Sequence, residues 1–247
     1  MLNAKFFNSG KAKLMFKTEL HCHSAEVSNC AHAYADYIVD RYISEGYSTI
    51  VLTNHFNKET FKNKRFDMLD APWDEKVDYF MNGYHKMVEA AAGRINIILG
   101  MELRFFCEIN DYLVYGITEE FLRAHPEMMD SNPKEFSPVV RDAGMLFIQA
   151  HPFRNRMKIT NPAYLDGVEV YNGHTGHDSR NDIAYAWAEK FGLIKTSGTD
   201  FHDETHVCGS GIATENEIKT TEDLLEVLKS GKYEIIRSGA VPYKFSF

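Results

Sequence analysis

The chain has 247 residues, of which 44% are hydrophobic and 13% aromatic, and its formal net charge at pH 7 is −8. This length and composition suit one domain with one large core, which we place at residues 1–247. The acidic charge argues against an extended nucleic-acid surface or an anionic membrane as the main partner, and the lack of a membrane-spanning run or an export signal near the N-terminus predicts a cytoplasmic protein.

Short apolar runs alternate with amphipathic stretches, which is typical of βα units around a parallel sheet. Strands are predicted at 14–20, 48–53, 95–101, 145–150, 167–171 and 193–197. Helices are predicted at 34–45, 73–92, 178–191 and 222–229, each with a glycine close behind that suits a left-handed cap. Two further runs, 103–107 and 112–117, predict an inserted antiparallel hairpin. Segments 56–72 and 154–162 fit neither periodicity, and we predict them to be loops over a site.

Two pairs of metal-binding side chains follow predicted strands, His21 with His23 and Asp200 with His202. Residues two apart on a strand face the same way, so each pair directs both of its side chains to one place. The cysteine between the first two, Cys22, should point away from them. Two strand ends that meet in space would form one metal centre.

Three more predicted strands end in a similar residue, namely His55, Glu102 or His151. The carboxyl ends of parallel strands form the functional face in α/β folds, so these residues should converge. Imidazoles and carboxylates bind zinc, manganese or iron, and bridging carboxylates allow two or three ions about 3.5–4 Å apart. Glu169 also lies on a predicted strand, either as a ligand or as a structural carboxylate.

This series of motifs resembles the polymerase and histidinol phosphatase (PHP) superfamily, in the order His21-x-His23, Thr53-Asn54-His55, Gly100-x-Glu102, His151-Pro152 and Ser197-Gly198-Thr199-Asp200-Phe201-His202. The resemblance covers residues 14 to about 211. It implies a distorted (β/α)7 TIM-like barrel, here with an inserted β-hairpin. It also implies two or three divalent ions and hydrolysis of phosphate esters.

The resemblance further implies how the ions are held. One would bind His21, His23, Glu102 and Asp200, a second would share Glu102 and bind His151, and a third would bind His55 and His202. For a further ligand after the first pair we favour Glu26, with His32 as the alternative. A histidine that the family usually carries between the Glu102 and His151 motifs is missing, and Asp111 is the candidate substitute. Asn54 replaces an aspartate that usually precedes His55.

Phosphate ester hydrolysis requires an activated water and neutralisation of the phosphoryl oxygens. We assign Asp200 to positioning the water, and His202 or His151 to the side of the leaving oxygen. Arg154, Arg180 and His177 are the predicted substrate-binding residues, because arginine makes bidentate contacts to phosphate. Arg156, His174 and His206 are further candidates for the rim of the site.

The leading hypothesis is therefore a metal-dependent phosphoesterase acting on a small phosphomonoester, either histidinol-phosphate-like or a nucleotide. The alternatives are a phosphodiesterase or nuclease acting on short oligonucleotides, a hydrolase acting at a carbon centre, and a non-catalytic metal-binding regulatory domain. The four cysteines at 22, 30, 107 and 208 contain no Cys-x-x-Cys motif, which favours reduced thiols over a disulfide framework.

Overall fold

The computed structural model describes residues 15–62 and 66–237. Within them the strands are β1 (Phe16–Cys22), β2 (Tyr47–Leu52), β3 (His55–Phe56), β4 (Asn96–Leu103), β5 (Tyr112–Tyr115), β6 (Leu146–Gln149), β7 (Gly167–Asn172), β8 (Ile194–Gly198), β9 (Ser210–Thr214) and β10 (Glu234–Arg237). The α-helices are α1 (Ala35–Ser44), α2 (Lys58–Phe61), α3 (Trp73–Ala91), α4 (Glu119–Ala124), α5 (Pro133–Asp142), α6 (Asn181–Phe191) and α7 (Thr221–Ser230). Residues 1–14 lie outside this description. The prediction that the N-terminus has no export signal and the start of the first predicted strand both depend on these residues.

The strands form one sheet in the order β10-β9-β1-β2-β4-β5-β6-β7-β8, with β3 paired to the end of β4. Strands β1, β2 and β4 are parallel to one another, as are β6, β7 and β8, whereas β5 is antiparallel to both of its neighbours. The sheet curves until β8 lies beside β1, so it is a nearly closed barrel surrounded by helices. This confirms the predicted TIM-like α/β class, while the count of seven βα units stays a prediction.

Close approach of β1 and β8 depends on a residue without a side chain. A Cβ atom on Gly198 would stand 2.2 Å from the Cβ of His21, closer than any real contact. On the other side of β1, Cys22 packs in an apolar cluster with Ile38 of α1 and with Phe201. The prediction that Cys22 points away from the two histidines is therefore confirmed.

The predicted strands and helices are all present, with ends displaced by no more than three residues. The predicted hairpin differs in its first arm, which is the end of β4 itself, paired antiparallel with β5. Residues 104–107 leave the sheet because an ion pair between Arg104 and Asp111 and a backbone hydrogen bond from Phe106 to Met129 hold them in a loop.

Several elements were not predicted from the sequence. Helix α5 starts with an Asn132 cap and Pro133 but also contains Pro138, which obscures its helical pattern. The predicted loop 56–72 includes the short helix α2, capped by Asn57, and its residues 63–65 lie outside the description. Strand β9 pairs antiparallel with β1, and β10 pairs antiparallel with β9. No helix in the described part of the chain is long and apolar enough to cross a membrane.

Candidate metal centre

The seven side chains predicted from the strand ends converge at one edge of the barrel. Their possible ligand atoms fall into groups in which all atoms lie within 4.8 Å of one another. These groups are His21–His23–Glu102, His21–His151–Asp200, His23–His55–His202 and His55–Glu102–Asp111. The parallel strands bring the residues together because each strand ends at the same edge of the sheet.

Glu102 is the centre of this arrangement. Its buried carboxylate lies 3.3 Å from Nε2 of His21, 3.3 Å from Nε2 of His23, 2.8 Å from Nδ1 of His55 and 3.2 Å from Nε2 of His151. Burial alone would raise the pKa of Glu102, but His21 and His55 outweigh burial and hold that pKa well below its usual value. Glu102 is therefore ionised at neutral pH and faces four imidazoles.

Asp200 is the second buried carboxylate. Its Oδ1 lies 3.4 Å from Nε2 of both His21 and His23, and its Oδ2 accepts a 2.5 Å hydrogen bond from Arg154. Burial would raise the pKa of Asp200, but the charges of His21 and Arg154 hold it well below the usual range. Two ionised carboxylates thus lie within 3.4 Å of the same pair of histidine nitrogens.

The buried Nε2 atoms of His21 and His23 have no hydrogen-bond partner. Leaving such atoms unpaired in an interior is costly. Ligand atoms about 2.0–2.2 Å from one tetrahedral ion would be about 3.3–3.5 Å apart. The four distances of 3.3–3.4 Å from these nitrogens to Glu102 and Asp200 match that spacing. The donor set therefore fits a divalent metal ion.

Neighbouring side chains orient the two histidines. Nδ1 of His21 lies 2.9 Å from Oε1 of Glu169, which directs Nε2 towards Glu102 and Asp200. Nδ1 of His23 lies 3.3 Å from the hydroxyl of Ser28, which donates to Asn54. Burial and the nearby His202 and His55 hold the pKa of His23 well below its usual value, so its imidazole is neutral, which is the metal-binding form.

Glu19 is a site residue that was not predicted from the sequence. Its buried carboxylate accepts hydrogen bonds from the backbone of Leu20, His21 and Thr199 and from the hydroxyls of Tyr42 and Thr199. These contacts hold the end of β1, which carries His21 and His23, to the segment that leads into Asp200. A charged residue inside the apolar run 14–20 was the only signal in the sequence.

His55 and His202 form a separate corner of the site, with their Nε2 atoms 3.5 Å apart. Cys30 lines the cavity beside both histidines. Burial would raise the pKa of its thiol, but the interactions with His202 and His55 outweigh burial and lower that pKa to about 6. Of the two ligands predicted after the first histidine pair, His32 lines the same cavity and Glu26 does not. Glu26 accepts a hydrogen bond from the backbone of Ala35 at the start of α1, and His32 is exposed and pairs with Asp203.

Asp111 lies close enough to His55 and Glu102 to complete a ligand group. Its carboxylate is already engaged, because Nε and Nη2 of Arg104 donate to its two oxygens at 2.7 and 2.8 Å. Asp111, the candidate substitute for the missing family histidine, is therefore also the partner of a fixed positive charge.

The centre opens into a cavity of about 520 Å³. Arg154, His177, His174 and His206 line it, together with Arg104 and Cys30. The predicted substrate residue Arg180 does not line this cavity. Its guanidinium instead donates to the carbonyl of Phe153 and the side chain of Asn155, so it holds the segment that carries Arg154. Arg156 is exposed and lines a neighbouring cavity.

Two of the converging residues have a left-handed backbone. The φ angle is +28° at His151 and +54° at Asp200, although neither is glycine. Such conformations cost about 1–3 kcal/mol each and persist only where surrounding contacts enforce them. Here the backbone N–H of His151 donates to Glu169, and the backbone carbonyl of Asp200 lies 2.9 Å from Nδ1 of His202.

The sequence from residue 19 to residue 233 matches the family model of the PHP domain. No protein of curated function matches the chain.

Three solved structures illustrate the similarity of fold. A two-domain protein from Bacteroides vulgatus containing a predicted PHP-like metal-dependent phosphoesterase is 16% identical, with a TM-score of 0.62 over 91% of this chain and 65% of that one. A putative metal-dependent phosphoesterase from Bifidobacterium adolescentis is 14% identical, with a TM-score of 0.52 over 87% and 96%. A lesion-specific endonuclease from Pyrococcus furiosus is 16% identical, with a TM-score of 0.56 over 90% and 58%. The chain thus spans about two thirds or less of the first and third of these proteins.

Proposed function

Because this chain belongs to the PHP domain family, we propose that it is a metal-dependent phosphoesterase that hydrolyses a small phosphomonoester. The observation that carries the proposal is the buried cluster of Glu102 and Asp200 with unpaired histidine nitrogens. Without a cation, the buried polar atoms of these groups would lack hydrogen-bond partners or opposite charges, which is costly in an interior. A structural or purely regulatory domain has no need of such a cluster beside an open cavity.

The proposed centre holds two or three divalent ions, which we take to be zinc, manganese or iron. His21, His23, Glu102 and Asp200 would bind one ion, and His151 with Glu102 a second. His55 and His202 would bind a third. The carboxylate of Glu102 reaches all of these histidines except His202, so it is suited to bridging. Ions bound here would acidify a water and neutralise phosphoryl oxygens.

The residues of the chain supply position and charge around the reacting phosphate. Arg154 reaches the edge of the centre at Asp200 and is held there by Asn172, so its planar fork faces the cavity that a phosphoryl group would enter. Asp200 is ionised and would orient the attacking water. His202, which lies 3.3 Å from Asp200, and His151, which lies 3.2 Å from Glu102, would lie near the leaving oxygen.

Cavity size supports a small substrate, because about 520 Å³ lies within the range of pockets for small molecules. The net charge of −8 gives no support to a long polyanionic ligand. The endonuclease from Pyrococcus furiosus shares the fold, and its action on damaged nucleic acid is a property of that protein. Phosphodiester hydrolysis is therefore the competing hypothesis.

The test combines elemental analysis with a panel of phosphomonoesters and one phosphodiester, for wild type, His21→Ala and Asp200→Asn. His85→Ala is the matched control, because His85 is an exposed histidine on α3. We expect at least two ions per chain and monoester turnover that both site variants lose and the control retains. Full metal occupancy without monoester turnover under zinc, manganese or iron would overturn the phosphatase. Turnover of the diester alone would identify a phosphodiesterase.

A further inference from the structure

We propose that Cys30 is a thiolate ligand of the ion held by His55 and His202, and that this ion position prefers zinc or cobalt to manganese. The inference rests on the proposed metal centre and names a ligand in a segment where the sequence predicted Glu26 or His32. The ion at this position would have a different set of ligand atoms from the ions held by Glu102 and Asp200.

The first observation is the direction in which the two imidazoles face. Nδ1 of His202 lies 2.9 Å from the carbonyl oxygen of Asp200, so that nitrogen carries the proton and Nε2 is left with a lone pair. This Nε2 lies 3.5 Å from Nε2 of His55. Two nitrogens at about 2.0–2.1 Å from one tetrahedral ion would be about 3.4 Å apart. The pair is spaced for a shared cation.

The second observation is that Cys30 lines the same cavity as His55 and His202, where its thiol interacts electrostatically with both imidazoles. The backbone explains how the thiol comes to lie there. The N–H groups of His32 and Ala33 both donate to the carbonyl oxygen of His202, which draws the loop containing Cys30 over that histidine. The contact of Cys30 is therefore fixed by main-chain hydrogen bonds between the two motifs.

Other candidate ligands in this loop are directed elsewhere. Oε1 of Glu26 accepts from the backbone N–H of Ala35 at the N-terminus of α1, and Glu26 does not line the cavity that Cys30 shares with His55 and His202. The side chain of His32 is 72% exposed and pairs with Asp203. Cys30 is the residue of the loop whose side chain reaches both histidines.

The donor set has a chemical consequence. Two imidazole nitrogens and one thiolate form a softer set than the carboxylates of Glu102 and Asp200, and soft ligands favour zinc, cobalt or copper over manganese and magnesium. Three protein ligands also leave one tetrahedral position open for water or substrate, as in catalytic zinc sites. The ion at this corner would therefore differ in identity from its neighbours when manganese is abundant.

Cobalt(II) titration of the metal-free protein tests the proposal, because a cobalt–thiolate bond gives a near-ultraviolet charge-transfer absorption that nitrogen and oxygen ligands do not. We expect this band in wild type, its loss in Cys30→Ser and its retention in Cys107→Ser, a variant of another exposed cysteine. Cobalt bound by wild type without the band would overturn the role of Cys30 and leave the metal centre intact. Failure to bind cobalt at all would overturn the metal centre itself.

Alkylation of wild type gives a second measurement that needs no variant. Cys30 lines the open cavity, so iodoacetamide can reach its thiol in the metal-free protein. We expect zinc to slow labelling of Cys30 at least about tenfold, measured for each cysteine by mass spectrometry, and to leave Cys107 unchanged. Equal labelling of Cys30 with and without bound zinc would contradict the proposal.

Discussion

His21 and Glu169 are joined by a 2.9 Å contact between Nδ1 and Oε1, and both side chains are fully buried. The other oxygen of Glu169 accepts from the backbone N–H of His151 and from Asn172. One carboxylate thus orients two of the proposed ligands, His21 through its ring and His151 through its main chain. Glu169 is a positioning residue for both.

Glu169→Gln is therefore expected to weaken metal affinity about 10–100-fold with little change in fold. The amide keeps the shape of the side chain but turns one acceptor into a donor that faces other donors. Competition with a chromophoric chelator measures the affinity. Glu120→Gln, on the exposed face of α4, is the control, and equal affinities in the two variants would contradict the role.

Arg154 is expected to contribute to substrate binding and turnover. Arg154→Ala should lower kcat/KM for a monoester about 100-fold, because a charge-assisted, bidentate contact is lost. Arg154→Lys should recover part of the loss, since it keeps the charge without the planar fork. Steady-state kinetics provides the measurement, and the exposed Arg156→Ala should match wild type. A loss of the same size in Arg156→Ala would move phosphate recognition to the neighbouring cavity.

The Arg104–Asp111 pair is expected to stabilise the fold. Arg104→Met leaves the buried Asp111 carboxylate without its partner, and because Arg104 is partly exposed we expect a loss of about 2 kcal/mol in the free energy of unfolding. Urea denaturation of the metal-free protein measures it. The double variant Arg104→Met with Asp111→Asn should recover much of the loss, and no recovery would show that packing of Arg104 matters more than charge.

Glu19 is expected to matter for stability and for metal binding together. Glu19→Ala removes an acceptor from several buried donors, so we expect a loss of about 3 kcal/mol or more in the free energy of unfolding. Metal affinity should fall as well, because β1 and the segment before Asp200 lose their connection. Urea denaturation and chelator competition check the two effects. Unchanged metal affinity in a folded variant would show that the ligand geometry does not depend on Glu19.

His174 should make the metal-free protein less stable in acid. Burial lowers the pKa of His174 from its usual 6.5 to about 3, so between these values the unfolded chain binds a proton that the folded chain does not. Stability attributable to this residue is therefore intact above pH 6.5 and is lost as pH falls towards 3, by about 1–2 kcal/mol at pH 5. His174→Asn should flatten the pH dependence more than His177→Asn, measured by urea denaturation in a chelator at pH 7 and pH 5.

Side chains at strand ends were predictable because alternation along a strand fixes the direction of His21 and His23, and a parallel sheet brings His55, Glu102 and His151 to the same edge. The direction of the Arg180 side chain could not be predicted in this way. Its place after β7 suggested a substrate contact, but its direction depends on the carbonyl of Phe153, which no sequence periodicity encodes.

Cys30 and Arg104 could not be predicted for a similar reason. Both lie in loops whose course is set by distant main-chain or charge contacts, the carbonyl of His202 in one case and Asp111 in the other. The same holds for Glu26, whose carboxylate is directed by the start of α1. Loop side chains depend on tertiary partners, whereas strand side chains depend mainly on the strand.

The left-handed backbone at His151 and Asp200 also bears on how the protein behaves before it acquires metal. Both residues keep this conformation at an energetic cost. A bound cation would stabilise the molecules that keep it and so raise their population. Metal binding and the local order of the backbone around His151 and Asp200 therefore belong to one equilibrium. In hydrogen-exchange experiments we expect amides near these two residues to exchange early in the metal-free chain and to slow on loading, while the apolar strands of the barrel change little.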